Sequence, residues 1–143
     1  MITVTRTYMP DLDLYKIYLD KIWQTNQITN NGPLCRELNE QIKAYLGLAH
    51  LELVANGTLA LQIAIKALDL KGEIITTPYS YVATPNAILW EGCDPVFVDI
   101  EEHSFCINPD LIEAAITDKT SAILATHVYG YPCHVIKIQQ IAE

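Results

Sequence analysis

Arginine is nearly missing from this sequence. Arg6 and Arg36 are the only two, and nine basic residues face seventeen acidic ones, for a net charge of −8. A surface that grips nucleic acid needs clustered Lys and Arg, so that class is excluded; one phosphate held by backbone amides is not. Cys-x-x-Cys spacing is also missing. Cys35, Cys93, Cys106 and Cys133 are scattered, which argues against a disulfide framework or a metal site and for free thiols in a reducing compartment. Lys66, Asp69 and Glu91 interrupt the longest apolar stretches, so none approaches the roughly 20 residues of a membrane span. The opening MITVTRTYMPDLDLYK has no basic stretch followed by an apolar one, so no secretory leader is expected and the protein reads as cytoplasmic. G-x-G-x-x-G, G-x-x-x-x-G-K and G-x-S-x-G are all lacking, which removes the fingerprints of a dinucleotide fold, a P-loop and a hydrolase elbow. Nothing in the spacing supports a triad of Ser80, His127 and Asp99.

What is present is an ordinary globular composition. Half of the residues are hydrophobic and 18% are charged over 143 positions. Such a chain can bury about two-thirds of its unfolded surface without staples. Tyr15, Tyr18, Leu19 and Ile22 recur at helical spacing, which predicts an amphipathic helix over 11–23 capped by Asp11 or Asp13. Residues 24–33 read as a loop, and 34–46 as a second helix stopped at Gly47.

Beyond that point the chain alternates. LELVA (51–55), EIITT (73–77), PVFVDI (95–100) and SAILATH (121–127) are short apolar runs recurring every 22 to 26 residues. Helical stretches follow them at 58–69, about 82–91, 109–116 and from Val135. Continuous rather than alternating apolar runs predict strands buried on both faces, joined through helices in a largely parallel α/β sheet. Ligands of such sheets collect outside the carboxyl ends of the strands. Three turns fall there: Asn56-Gly57-Thr58, Tyr79-Ser80-Tyr81 and His127-Val128-Tyr129.

From the residues alone, each turn has two readings. Asn56-Gly57-Thr58 opens an almost wholly apolar helix. It is either a cap, the commoner device, or a seat where first-turn amides and the Thr58 hydroxyl hold an anion. Tyr81 either packs between loop and helix or lies against a planar ring. His127 is either a structural residue or a proton carrier.

ITNNGP (28–33), NGTLALQIAIKAL (56–68), ITTPYSYVATPNAILWEGCDPVFVDI (75–100), INPDLIEAAIT (107–117) and ILATHVYGYP (123–132) follow one another. In that order and spacing they resemble the DegT/StrS-type sugar aminotransferases, pyridoxal-phosphate (PLP) enzymes of the aspartate-aminotransferase fold. The resemblance implies an N-terminal helical segment, 1–47, carrying an active-site loop at 28–33. It implies that 48–143 is the incomplete α/β large domain. Gly57 and Thr58 would hold the PLP phosphate, Tyr81 would stack on the pyridine ring, and His127 would lie at the ring's rim. Thr29, Asn30, Asn31 and Gly32 would line the sugar-nucleotide entrance. The family's Schiff-base lysine and its ring-nitrogen acid are expected beyond Glu143, so no catalytic residue is assigned within the chain. None of its seven lysines matches that motif position. The implied activity is transfer of an amino group from glutamate to a nucleotide-linked keto-deoxysugar, in surface or secondary-metabolite sugar synthesis, by a homodimer. The alternatives are a PLP-dependent sugar dehydratase of the same family, with histidine in the lysine's place, or a non-catalytic truncated product. An exposed strand edge and an apolar patch are also expected on such a piece.

Overall fold

The structure is a computed structural model that describes residues 5–143. It divides into two compact regions, the first ending at Leu53 and the second spanning Val54–Glu143.

The first region is helical. Helix α1, Leu12–Thr25, starts where Asp11 accepts bonds from the amides of Asp13 and Leu14 at 2.9 and 3.1 Å, and ends at Asn26 in the left-handed conformation. Helix α2, Pro33–Leu46, begins with Pro33, whose missing amide hydrogen costs nothing in a first turn, and stops at Gly47 with φ 66°. Lys21 reaches Glu37 of α2 at 3.2 Å. Neither helix contains a buried residue.

LELVA forms no strand, which corrects the expectation of a first strand at 51–55. An apolar run becomes a strand only when a neighbour supplies the ladder. Here the Leu51 carbonyl instead accepts a bond from Asn39 Nδ2 at 2.9 Å.

The second region is a parallel sheet covered by helices. In chain order it has α3 (Gly57–Ala67), β1 (Glu73–Thr76), α4 (Ala83–Trp90), β2 (Asp94–Phe97), β3 (Thr120–Ile123) and α5 (Val135–Ala142). The strands lie in the order β2-β1-β3, all parallel, with an irregular step beside Glu73 and Ile74. Central β1 is the most deeply buried: Ile74, Ile75 and Thr76 are fully enclosed. Successive side chains on a strand face opposite ways. Ile74 packs with Ile65 of α3, Ala87 and Ile88 of α4, and Cys93. Ile75 packs with Val98, Ile107 and Ile112, and against Ile138 and Ile141 of α5. Helices α3 and α4 therefore cover one face and α5 the other. The tight entry into β1 depends on Gly72 (φ 78°): a β-carbon there would come within 2.5 Å of the Lys119 carbonyl oxygen.

The helix expected at 109–116 is instead two 3-10 turns, Pro109–Leu111 and Glu113–Ala115. Asn108 caps the first through the Asp110 amide at 3.0 Å. By Ile116 the backbone is extended again on its way to β3, which leaves too few residues to repay the nucleation of an α-helix.

Candidate functional site

β1 and β3 are neighbours, yet the helices that follow them pack on opposite faces. Their outgoing loops must part at the carboxyl ends of the strands, which opens a crevice there by topology alone. A cleft of about 500 Å³ lies at that point, lined by Pro78, Tyr79, Ser80 and Tyr81 after β1 and by Thr126, His127, Val128 and Tyr129 after β3.

The floor is fixed by hydroxyls. Thr76 Oγ1 donates to the Leu124 carbonyl at 2.9 Å and ties the two strand ends together. Buried Thr77 accepts from the Tyr79 amide at 3.3 Å, and Ser80 Oγ donates to the Thr77 carbonyl at 3.3 Å. These bonds hold the 77–81 turn without enclosing Tyr81, which is 80% exposed. Its ring is free to meet a flat ligand.

On the other wall, His127 Nδ1 accepts the Cys133 amide hydrogen at 3.0 Å. That assignment leaves the proton of a neutral imidazole on Nε2, as a donor. Beneath the loop, Cys133 Sγ donates to the Thr126 carbonyl at 3.0 Å and Cys106 Sγ to the Tyr131 carbonyl at 3.4 Å. Burial, then the bond with Cys106, pushes the Cys133 thiol up to about 11. It acts as a clamp rather than a nucleophile at neutral pH. No Asp, Glu, Lys or Arg side chain lines the cleft. Its surface suits an aromatic ring with a few hydrogen-bonding edges.

The start of α3 uses Asn56 as its cap and leaves its first amides unengaged. Asn56 Oδ1 caps the Leu59 amide at 2.9 Å, and the Asn56 carbonyl takes the Ala60 amide. Among the described residues the amides of Gly57 and Thr58 have no acceptor, and they carry the positive end of the helix dipole. A β-carbon on Gly57 would meet no atom within 4 Å. The open space beside two free amides suits a phosphate.

The cleft thus brings Tyr81 and His127 together; Gly57 and Thr58 are not among its lining residues. Thr29, Asn30, Asn31 and Gly32 lie in the first region, at the turn into α2, where Asn30 and Asn31 are left-handed (φ 54° and 56°). No lysine lines the cleft. Lys66 sits in the last turn of α3, exposed and at the far end from Gly57. Among the described residues no three His, Cys, Asp or Glu side chains gather as a metal site requires, and no helix is long and apolar enough to cross a membrane. Tyr79 and Tyr129 were not assigned from sequence as site residues. Their only signal there was membership of turns at strand ends.

Comparison with known proteins bears on the chain's family. The model of the DegT/DnrJ/EryC1/StrS aminotransferase family matches residues 15–143. A dTDP-4-amino-4,6-dideoxy-D-glucose transaminase of Escherichia coli is 51% identical over 99% of this chain, which spans 38% of that relative's length. Among solved structures, DesI in the presence of its TDP-sugar product matches 92% of this chain and 34% of its own, with TM-score 0.85 and 34% identity. The structure of ntda from Bacillus subtilis with bound cofactor PMP matches 92% of this chain and 31% of its own, with TM-score 0.83 and 35% identity.

Proposed function

This chain belongs to the DegT/DnrJ/EryC1/StrS aminotransferase family, and on that premise we propose that it is the cofactor-cradling part of a PLP-dependent sugar aminotransferase. The amino group comes from glutamate and goes to a keto-deoxysugar linked to a nucleoside diphosphate. The name of the 51%-identical relative supports a dTDP-linked 6-deoxyhexose aminated at C4. The observation that carries the reading is the cleft at the β1–β3 parting, free of Asp, Glu, Lys and Arg, with the bare Tyr81 ring on one wall and His127 on the other.

The residues divide the work by their chemistry. The Gly57 and Thr58 amides and the Thr58 hydroxyl bind the phosphate, helped by a helix dipole worth about 0.3–1 kcal/mol. Tyr81 stacks on the pyridine face and excludes water from it. The His127 Nε2–H donates at the ring's edge, held in that orientation by the Cys133 amide. When bound, PLP supplies the electron sink that the reaction needs. Thr29, Asn30, Asn31 and Gly32 line the sugar-nucleotide entrance, so segment 1–47 serves substrate and 48–143 serves cofactor. The lysine and the ring-nitrogen acid come from outside residues 1–143, in a cytoplasmic homodimer that uses neither nucleic acid nor a membrane.

The test supplies the full-length protein with PLP, L-glutamate and dTDP-4-keto-6-deoxyglucose. 2-Oxoglutarate and an aminated dTDP-sugar should appear in equal amounts. Neither product, with this or any other nucleotide-linked keto-sugar, would end the aminotransferase reading. Turnover with a different sugar only would keep the class and replace the substrate.

A further inference from the structure

The two loops that form the cleft are held together at their tips by one contact. Tyr79 and Tyr129 are fifty residues apart, and their hydroxyls meet at 3.0 Å. Below them the strand ends are joined by the Leu124 amide on the Ile75 carbonyl at 2.8 Å and by the Thr76–Leu124 bond. The ladder stops there and the helices beyond pack on opposite faces of the sheet, so no backbone bond between the two loops fixes the width of the opening.

Both tyrosines are held in ways that burial does not explain. Tyr129 is 85% exposed, yet its backbone is left-handed, φ 52° and ψ 23°, followed by Gly130 at φ 81°. A bulky residue rarely adopts that conformation, and an exposed one has no packing reason to keep it. The turn aims the phenol back across the cleft. Tyr79 is braced from behind, its ring stacked on Phe105 at 5.6 Å and 25°. Its backbone is fixed by the Thr77 hydroxyl. A braced phenol and an aimed phenol meet over the crevice whose walls carry Tyr81 and His127.

We propose that Tyr79 and Tyr129 are a latch of positioning residues that sets the gap between the Tyr81 and His127 walls and so the fit of the cofactor ring. The inference rests on the PLP reading above and adds two residues to it. Neither phenol does chemistry; each acts through the loop that it holds. The bond also raises the Tyr79 phenol above its ordinary value.

The experiment uses the full-length protein and its Tyr79→Phe, Tyr129→Phe and doubly substituted variants, with Tyr45→Phe in the first region as control. PLP affinity is measured by titration, and ring orientation by the visible circular dichroism of bound PLP. Each single variant should bind PLP about three- to tenfold more weakly, the range of one hydrogen bond. The double variant should be no worse than the singles, because either change already breaks the same bond. The dichroic band should fall alike in all three, while Tyr45→Phe and thermal stability stay at wild-type values. Losses that add in the double variant would overturn the latch, and so would affinities equal to wild type. A wild-type protein that binds no PLP would overturn the cofactor reading and the latch with it. Binding by wild type with indifferent variants would overturn the latch alone.

Discussion

The two regions of this chain use the same apolar vocabulary to different ends. Before Leu53, Tyr15, Tyr18, Leu19 and Ile22 line one side of α1, and Trp23 and Tyr45 add large rings, yet none of them is buried. After Val54, short runs such as Glu73–Thr76 vanish into the interior, and among the described residues every member of the buried hydrophobic core lies in that second region. Periodicity states which face of an element is apolar, not whether anything covers it. The sheet covers itself because each strand supplies the next one's ladder and its helices return to its faces. A pair of helices has no such obligation.

The comparison is broken most directly at the core. Ile74→Ala in β1 should destabilise the 143-residue chain by about 2–5 kcal/mol, while Leu14→Ala in α1 should change it by no more than about 0.5 kcal/mol. Denaturant unfolding of the two variants measures the contrast; equal losses would mean that the α1 face is covered in solution. The thiols give the next effect. The Cys133 thiol holds its proton to about 11 against 9.0 for an unperturbed one. Its folded value is raised, so its contribution is whole below pH 9 and is lost as pH climbs through about 11. On the order of 2 kcal/mol should fade across that window. Unfolding midpoints taken through it should slope downward in wild type and less so in Cys133→Ala; parallel slopes would refute the assignment. At neutral pH exposed Cys35 should alkylate first, ahead of buried Cys93, Cys106 and Cys133, as mass spectrometry would record.

Smaller effects sharpen the contrast at the helix starts. Thr58→Ala should weaken phosphate or PLP binding by about 1 kcal/mol or more, the scale of a hydrogen bond to a charged group. Titration showing unchanged affinity would remove Thr58 from the site. Asn56→Ala and Asp11→Ala delete the same kind of cap, worth about 1 kcal/mol each. The first should lower global stability, because α3 carries core residue Ile65. The second should only fray α1. Amide exchange separates the two outcomes, and global loss in both would erase the distinction between the regions.

Much of the second region could be read from its residues. EIITT, PVFVDI and SAILATH are β-branched and apolar enough to be strands in any setting that offers a partner. Asp11, Gly47 and Asn56 mark helix ends by local chemistry, and the structure uses all three in those roles; Pro33, read as the end of a loop, instead opens α2. LELVA failed for the complementary reason. Its residues are equally apolar, but strand formation belongs to a pair of segments and not to one. The stretch after Asn108 failed because propensity does not register how soon the chain must be extended again.

Sequence by itself determined the elements whose causes are local: the caps, the glycine stops, the buried character of Ile74 and Ile75, and the placing of Tyr81 and His127 just past strand ends. Tertiary structure alone decided the strand order β2-β1-β3 and the opposite faces taken by α4 and α5. It also decided the crevice between them and the meeting of Tyr79 with Tyr129 across fifty residues of chain. Those features depend on which distant segments share a boundary, and no window of neighbouring residues carries that information.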